Sequence, residues 1–314
     1  MPRSAISWLV VFAVLFGGFF ASVGALNADL YSAHGFVRTY LDALARQDSA
    51  AALAVDGVGA SDGAATALLS DEALGELSAI QLVRDTAEPD GSHTVVYDYL
   101  LASGEGRTEF HVEPSGTRFG LFTDWRFVAS PLSTIAVSVK HDSRFTVNGL
   151  AVETAGAYLV FAPGLYVVDH STTFLQADAV DVAVTEPGTI SDAVVNVQAN
   201  DEFVTTLQGE VDDFLEGCST QTVLQPTGCP FGRPVTNQVE GDSVWSIIRY
   251  PSVVITPGET NGEWVVKNAT GTANITVTVR SLFDGTTSTI DEDVDFSVDY
   301  RVTFSGGELV IEAV

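Results

Sequence analysis

Phe36-Val37-Arg38-Thr39-Tyr40-Leu41-Asp42-Ala43-Leu44 is the stretch from which the fold class follows. Phe36, Val37, Tyr40, Leu41 and Leu44 recur at helical spacing and form one apolar stripe, the pattern of a helix laid on a core. Asp48 and Ser49 suit the cap of a second short helix over 50–55. Residues 57–63 read as a loop, and Ser70-Asp71-Glu72 suits the start of a third helix through Leu77. The period then drops to two. Strands are expected over 80–85, 94–102, 107–112 and 119–129, the last with Phe119, Leu121, Trp125 and Phe127 on one face. Pro89-Asp90-Gly91, Gly104 to Gly106 and Pro114 to Gly116 supply the turns. Helices first and hairpin-connected strands after make an α+β roll over 29–131.

Upstream, residues 6–26 hold no charge and carry Ile6, Trp8, Phe12, Phe16, Phe20 and Leu26 among their apolar side chains. At 1.5 Å of rise per residue, about 20 such residues cross the ~30 Å hydrocarbon core of a bilayer. Arg3 precedes the stretch, and a cationic flank stays in the cytoplasm. Residues 1–28 therefore read as a single transmembrane signal-anchor of a cell membrane, with the remaining domains extracytoplasmic. Val23-Gly24-Ala25 also offers the small residues of a signal-peptide cleavage site, and cleavage there would leave a secreted protein. No cysteine adjoins the stretch, which excludes a lipoprotein-type anchor.

The 314 residues carry 14 Lys plus Arg against 41 Asp plus Glu, a net charge of −27, and Lys140 and Lys267 are the only lysines. Such a field repels nucleic acid phosphates and anionic headgroups, so neither is an expected partner. The expected partners are the membrane, through one span, and an envelope protein or cell-wall component. The two cysteines, Cys218 and Cys229, form a close even pair in the exported part and read as a disulfide, worth about 3 kcal/mol in the chain-entropy view. No histidine lies between or after them, so a zinc site does not fit.

Pro131 marks a boundary. Ile135, Val137 and Val139 alternate. Phe145 and Val147 run into Asn148-Gly149, and Leu150 and Val152 return, the strongest short hairpin signal because both central residues need positive φ. Pro163-Gly164 suggests a second hairpin, and Val180, Val182 and Val184 alternate in a last strand. Residues 132–187 thus read as a small β-sandwich, followed by a linker to Asn196.

Asn200 is placed to cap a helix through Glu216. Its buried stripe would be Phe203, Leu207, Val211 and Phe214, with Gly217 as the stop. Strands are expected over 244–250, 252–255, 264–267, 272–280, 293–305 and 308–314, with Asp284-Gly285 and Gly306-Gly307 as turns. This makes 188–314 a second α+β roll holding the disulfide. Phe203-Val204-Thr205-Thr206 even echoes Phe36-Val37-Arg38-Thr39.

The Phe36 to Ala52 opening, its Tyr40-Leu41-Asp42-Ala43-Leu44 centre and the closing Trp125-Arg126-Phe127 strand resemble bacterial nuclear-transport-factor-two-like domains. Thr146-Val147-Asn148-Gly149 and Pro163-Gly164-Leu165-Tyr166-Val167-Val168 are similar to PEGA-type β modules. The order of anchor, roll, β module and second roll resembles membrane-anchored envelope proteins of TcaA-like architecture. Those proteins carry a cytoplasmic zinc ribbon, whereas five residues precede the apolar stretch here, which puts a signalling role inside the cell in doubt.

Rolls of that family leave a conical pocket, and their enzyme members place a carboxylate base and oxyanion donors in it. The candidates here are Tyr97, Asp98, Tyr99, His111 and Asp124. Alternation puts Tyr97 and Tyr99 on one face and Asp98 on the other. It also turns His111 and Asp124 away from the apolar face. His34, His93, His111, His141 and His170 show no metal-ligand spacing. Asp291-Glu292-Asp293-Val294-Asp295 has Phe296 where a calcium loop needs glycine, and reads as the wet face of a strand. Asn268-Ala269-Thr270 and Asn274-Ile275-Thr276 match the glycosylation pattern by chance in a bacterial composition. The expectation is a protein with no catalytic residues, no metal and no cofactor, an extracytoplasmic binding or scaffolding module. The alternative is a small-molecule pocket enzyme of isomerase or dehydratase type, or a ligand-sensing domain, in the first roll.

Overall fold

A computed structural model of the chain describes residues 3–59 and 63–314, the side chains of 3–11 excepted. The side chains of the expected span positions Ile6 and Trp8, and residues 60–62 of the expected 57–63 loop, fall outside that description. The chain is α+β, with few helices and a majority of antiparallel sheet. It forms two compact units. One comprises Met1–Ser138, Arg144–Asp169 and Ala179–Val195; the other comprises Val139–Ser143, His170–Asp178 and Asn196–Val314.

The first unit opens with α1 (Arg3–Ala28), α2 (Ala33–Ala45) and α3 (Ser49–Leu53). Ser32 and Asp48 cap α2 and α3 by accepting from the backbone N–H of Gly35 and Ala51, so an orphan donor is satisfied at each start. The expected third helix is only a 3-10 turn, Asp71–Ala73. Its Asp71 carboxylate is used elsewhere, accepting from the Ser49 N–H at 2.8 Å and the Ser49 hydroxyl at 2.6 Å.

β1 (Leu77–Ala87), β2 (His93–Leu101), β3 (Gly104–Arg118) and β4 (Phe122–Phe127) pair in that order. β3 is longer than expected. Pro114 to Gly116, expected as a turn, is a register shift inside the β3–β4 ladder. The chain reverses instead at Phe119-Gly120, with φ of 56° and 68°. Phe119 therefore leaves the face assigned to it beside Trp125 and Phe127 and stands 87% exposed.

The stripe of α2 lies on this sheet. Val37, Tyr40, Leu41 and Leu44 are buried together with Val95, Tyr97, Tyr99, Phe110, Val112 and Phe127. Each such apolar side chain contributes about 1.5–3 kcal/mol on burial.

The next strands are β5 (Leu132–Lys140), β6 (Phe145–Val147), β7 (Leu150–Val152), β8 (Gly156–Phe161), β9 (Gly164–Ser171), β10 (Leu175–Val184), β11 (Ile190–Asn196) and β12 (Gln198–Ala199). They form a sheet ordered β11-β5-β8 and another ordered β12-β10-β9-β6-β7. Phe145 and Tyr158 meet at 5.9 Å, so the two sheets face each other across a core within the first unit. Asn148 and Gly149 take φ of 50° and 92°, the turn read from the sequence. Pro163-Gly164 is not a hairpin: β8 and β9 lie in different sheets, and the turn carries the chain from one to the other. Most of the expected linker after Pro187 is strand β11, in which Ala193 and Val195 alternate inward and are buried.

The second unit is built on α4 (Asp201–Ser219), capped by the Asn200 side chain as expected. Its buried stripe is Phe203, Leu207, Val211, Leu215 and Cys218, and Phe214 faces out. Spacing by four wins over the expected Phe214, and the helix runs through the expected stop at Gly217 to Ser219, with Cys218 in its last turn bonded to Cys229.

β13 (Gln238–Val239), β14 (Val244–Arg249) and β15 (Thr256–Pro257) all pair with β16 (Trp264–Arg280), which pairs with β17 (Thr287–Ser305) and then β18 (Glu308–Ala313). The two strands expected at 264–267 and 272–280 are thus one. A bulge at Asn268, φ 52°, absorbs the break, and its N–H donates to Asp299 at 2.8 Å. The stretch expected at 252–255 forms no strand.

Candidate functional site

The roll-pocket candidates Tyr97, Asp98, Tyr99, His111 and Asp124 do not converge. Tyr97 and Tyr99 point into the roll, but their hydroxyls are engaged. Tyr97 donates to the His34 carbonyl at 2.8 Å, and Tyr99 pairs with Thr108 at 2.7 Å. Burial pushes the Tyr97 hydroxyl up to about 12. Asp98 is on the outer face, where Arg107 donates twice to its carboxylate at 2.6 and 2.8 Å and holds it below the ordinary range. His111 is on the same outer face, exposed, 3.5 Å from Glu109. Asp124 pairs with Arg118 at 3.4 Å.

Where a conical pocket would open, aromatic side chains fill the space. Tyr40 is fully buried, with Phe110 and Phe127 ring centroids 6.2 and 5.4 Å away. Its hydroxyl bonds to the carbonyls of Pro131 and Ala162, at 3.1 and 3.0 Å. Desolvation raises it well above the ordinary tyrosine value.

The polar side chains that do converge sit at one end of the roll. Asp85, late in β1, accepts from the Nδ1 of His34 at 2.8 Å and from the Nδ1 of His93 at 2.5 Å. His34 stands on the first turn of α2 and His93 begins β2, so the ladder that opposes Asp85 to Val95 and Ala87 to His93 brings all three together. Burial alone would raise the Asp85 carboxyl. The hydrogen bonds and charge of the two imidazoles outweigh it and hold the group low. The His93 ring meets the Trp125 ring edge-on at 4.9 Å, and the Trp125 indole donates to the Tyr31 carbonyl at 2.9 Å.

Behind Trp125 lies a cleft of about 440 Å³, lined by Tyr31, Phe36, Thr39, Asp56, Arg118 and Asp124 among others. Gly35 closes this end tightly: a Cβ there would lie 2.3 Å from the Asp29 carbonyl oxygen. With each Nδ1 directed at Asp85, Nε2 is the ring atom these two bonds leave for a ligand. Neither His34 nor His93 stands out as a site residue in the sequence. The only signal is their position, one at a helix start and one at a strand start.

This is also the end at which the N-terminal helix arrives. α1 is 26 residues long. Its Phe12, Phe16, Phe19 and Phe20 are between 51% and 68% exposed. Among the described residues no single helix is long and apolar enough to cross a membrane. The pair Phe12–Ala28 and Ala33–Ala45, bent by 55°, qualifies by length and composition. Within that pair α2 is already occupied by the roll core, so the exposed apolar surface is that of α1. Among the described residues no cluster of three or more histidine, cysteine or acidic side chains is arranged to hold a metal ion.

No family model matches the chain, and no curated protein or solved structure matches it.

Proposed function

We propose that this chain is a membrane-anchored extracytoplasmic protein whose folded part binds or scaffolds an envelope or cell-wall component without catalysing a reaction. The observation that carries it is α1, whose Phe12, Val14, Leu15, Phe16, Phe19, Phe20 and Leu26 stand exposed ahead of a domain with a buried core of its own. An all-round apolar helix outside a protein core belongs in lipid. The disulfide fits an oxidising compartment, and the aromatic filling of the roll supports binding at a surface over chemistry in a pocket. The order of roll, β module and second helix-led sheet is similar to that of TcaA-like envelope proteins, with rolls of the nuclear-transport-factor-two type.

The test is extraction of native membranes at alkaline pH, with the amino terminus of the recovered protein read by mass spectrometry. Recovery in the pellet with residues 1–25 attached supports the anchor. Release as a soluble protein beginning near Leu26 means signal cleavage and a secreted product. Turnover of small ketones or esters by the purified protein would overturn the non-catalytic half.

A second reading is favoured by the Asp85 cluster. Two imidazoles oriented by one carboxylate beside Trp125 suit a small polar ligand, which would make the roll mouth a sensor. Titration calorimetry with basic or hydroxylated small molecules, compared with His93→Ala, separates this reading from the first.

A further inference from the structure

The β3–β4 hairpin projects from the roll. Val112 of β3 already pairs with His93, the first residue of β2. β3 then continues from 113 to 118, about 20 Å at ~3.3 Å per residue. The tip, Arg118-Phe119-Gly120-Leu121-Phe122, turns Phe119 and Leu121 into solvent at 87% and 37% exposure.

The tip is tied to the end of the apolar helix. The Asn27 side-chain amide donates to the Leu121 carbonyl at 2.7 Å, and the Tyr31 ring stacks on Phe122 at 4.3 Å. Asn27 directly follows Leu26, the last residue of the uncharged stretch. The exposed phenylalanine therefore stands level with the final turn of α1. Arg118 beside it is balanced by Asp124 at 3.4 Å. The tip thus adds little net charge despite the acidity of the whole chain.

An aromatic ring next to a guanidinium, placed at the end of an apolar span, is the composition of a membrane interface. The ring sits at headgroup level and the cation reaches outward.

We propose that the β3–β4 hairpin tip is a second membrane contact, with Phe119 and Leu121 entering the headgroup–acyl boundary of the bilayer that α1 crosses. This rests on the anchor reading above. Its consequence is a roll held at a fixed tilt, with the Asp85 end toward the lipid, instead of swinging on a single helix.

The protein has no free cysteine, so one introduced thiol takes a fluorophore selectively. The full chain carrying Phe119→Cys, Phe12→Cys or Ala102→Cys is labelled and placed in phosphatidylcholine nanodiscs. Ala102 is exposed and lies in the turn at the opposite end of the sheet. The expected result is loss of iodide quenching at 12 and 119, gain of quenching by nitroxide lipids at both, and retained iodide quenching at 102.

A label at 12 in lipid with a label at 119 open to iodide would overturn the hairpin contact and leave the anchor standing. A label at 12 open to iodide would remove the anchor and the proposal with it. A label at 119 hidden from both iodide and nitroxide lipid would mean a protein covers the tip, which also overturns it. Phe119→Ser with an unchanged melting temperature but a label at Leu121→Cys newly open to iodide would identify Phe119 as the side chain that holds the tip down.

Discussion

The α2 layer on β1–β4 and the C-terminal stretch from Asn200 onward each set one amphipathic helix against an antiparallel meander, yet they secure that helix differently. α2 is 13 residues long and is fastened through Tyr40, whose buried hydroxyl bonds two backbone carbonyls. α4 is 19 residues long and is fastened covalently at its far end through Cys218. One local device is shared. In each sheet a glycine lies under an aromatic ring on the neighbouring strand: Gly106 under Tyr99 and Gly271 under Phe296, with a Cβ at either glycine 2.3 Å from the ring. The meander repeats its strand chemistry, and the helix attachment does not.

Tyr40→Ala has the largest expected effect. Truncating a fully buried aromatic costs about 3–5 kcal/mol. Loss of hydrogen-exchange protection should run through α2 and β1–β4 while β16 and β17 keep theirs. Uniform loss through both units would show that they unfold as one, and the comparison would fail. Tyr40→Phe keeps the ring and removes the hydroxyl shared by the two carbonyls; Pro131 still accepts from the Ala162 N–H at 2.9 Å, so the loss falls on the Ala162 carbonyl and about 1–3 kcal/mol is expected.

Next is Cys218→Ser with Cys229→Ser. Opening this loop costs about 2–4 kcal/mol, felt in α4 and in the 220–231 segment, where Trp245 donates to the Val223 carbonyl at 2.8 Å. An unchanged denaturation midpoint would mean that packing of Phe231 on Trp245 and Phe296, at 4.9 and 5.4 Å, suffices without the covalent tie.

What can be read from the residues follows local rules. The α2 stripe, the Asn148-Gly149 hairpin, the Asn200 cap and the cysteine pair each depend on spacing within a few positions, and all four appear in the structure. The errors lie where a distant partner overrides a local signal. Pro114 to Gly116 reads as a turn until β4 is placed beside it, when it becomes a bulge. Residues 187–196 read as linker because Pro187-Gly188 is conspicuous, although Ala193, Val195 and Val197 alternate as a strand should. Phe214 and Leu215 both fall near the apolar stripe of α4, and the four-residue repeat from Phe203 selects Leu215. The Asp85 cluster is not legible at all, since its members sit at 34, 85 and 93 and meet only through the register of β1 with β2 and the placement of α2.

Asp85→Asn comes third, and it probes that register. The native carboxyl is held low, so its contribution is fully present above the unfolded-state value near ~3.9 and fades as pH falls through the lower native value. Near neutral pH the variant should lose about 1.5 kcal/mol, the scale of hydrogen bonds to a charged group. The gap between variant and wild type should close as pH drops toward about 3. A gap that stayed constant across that range would mean the carboxylate charge is irrelevant and only its shape matters.

The smallest effect belongs to Asp98→Asn. Asp98 and Arg107 face each other across β2 and β3 with good hydrogen bonds, and Arg107 lowers the Asp98 carboxyl as the imidazoles lower Asp85. The difference is the surroundings. Asp98 stands in water, which screens the pair and hydrates either partner once the other is gone, so exposed pairs of this kind rarely register in stability. The melting temperature should not move, at neutral or acidic pH. A loss matching that of Asp85→Asn would show the outer face of the sheet to be covered by something in the native protein. The cleft that Asp98 and Arg107 line there, about 480 Å³ with Gln81, Leu100 and Glu105, would then be the place to look for it.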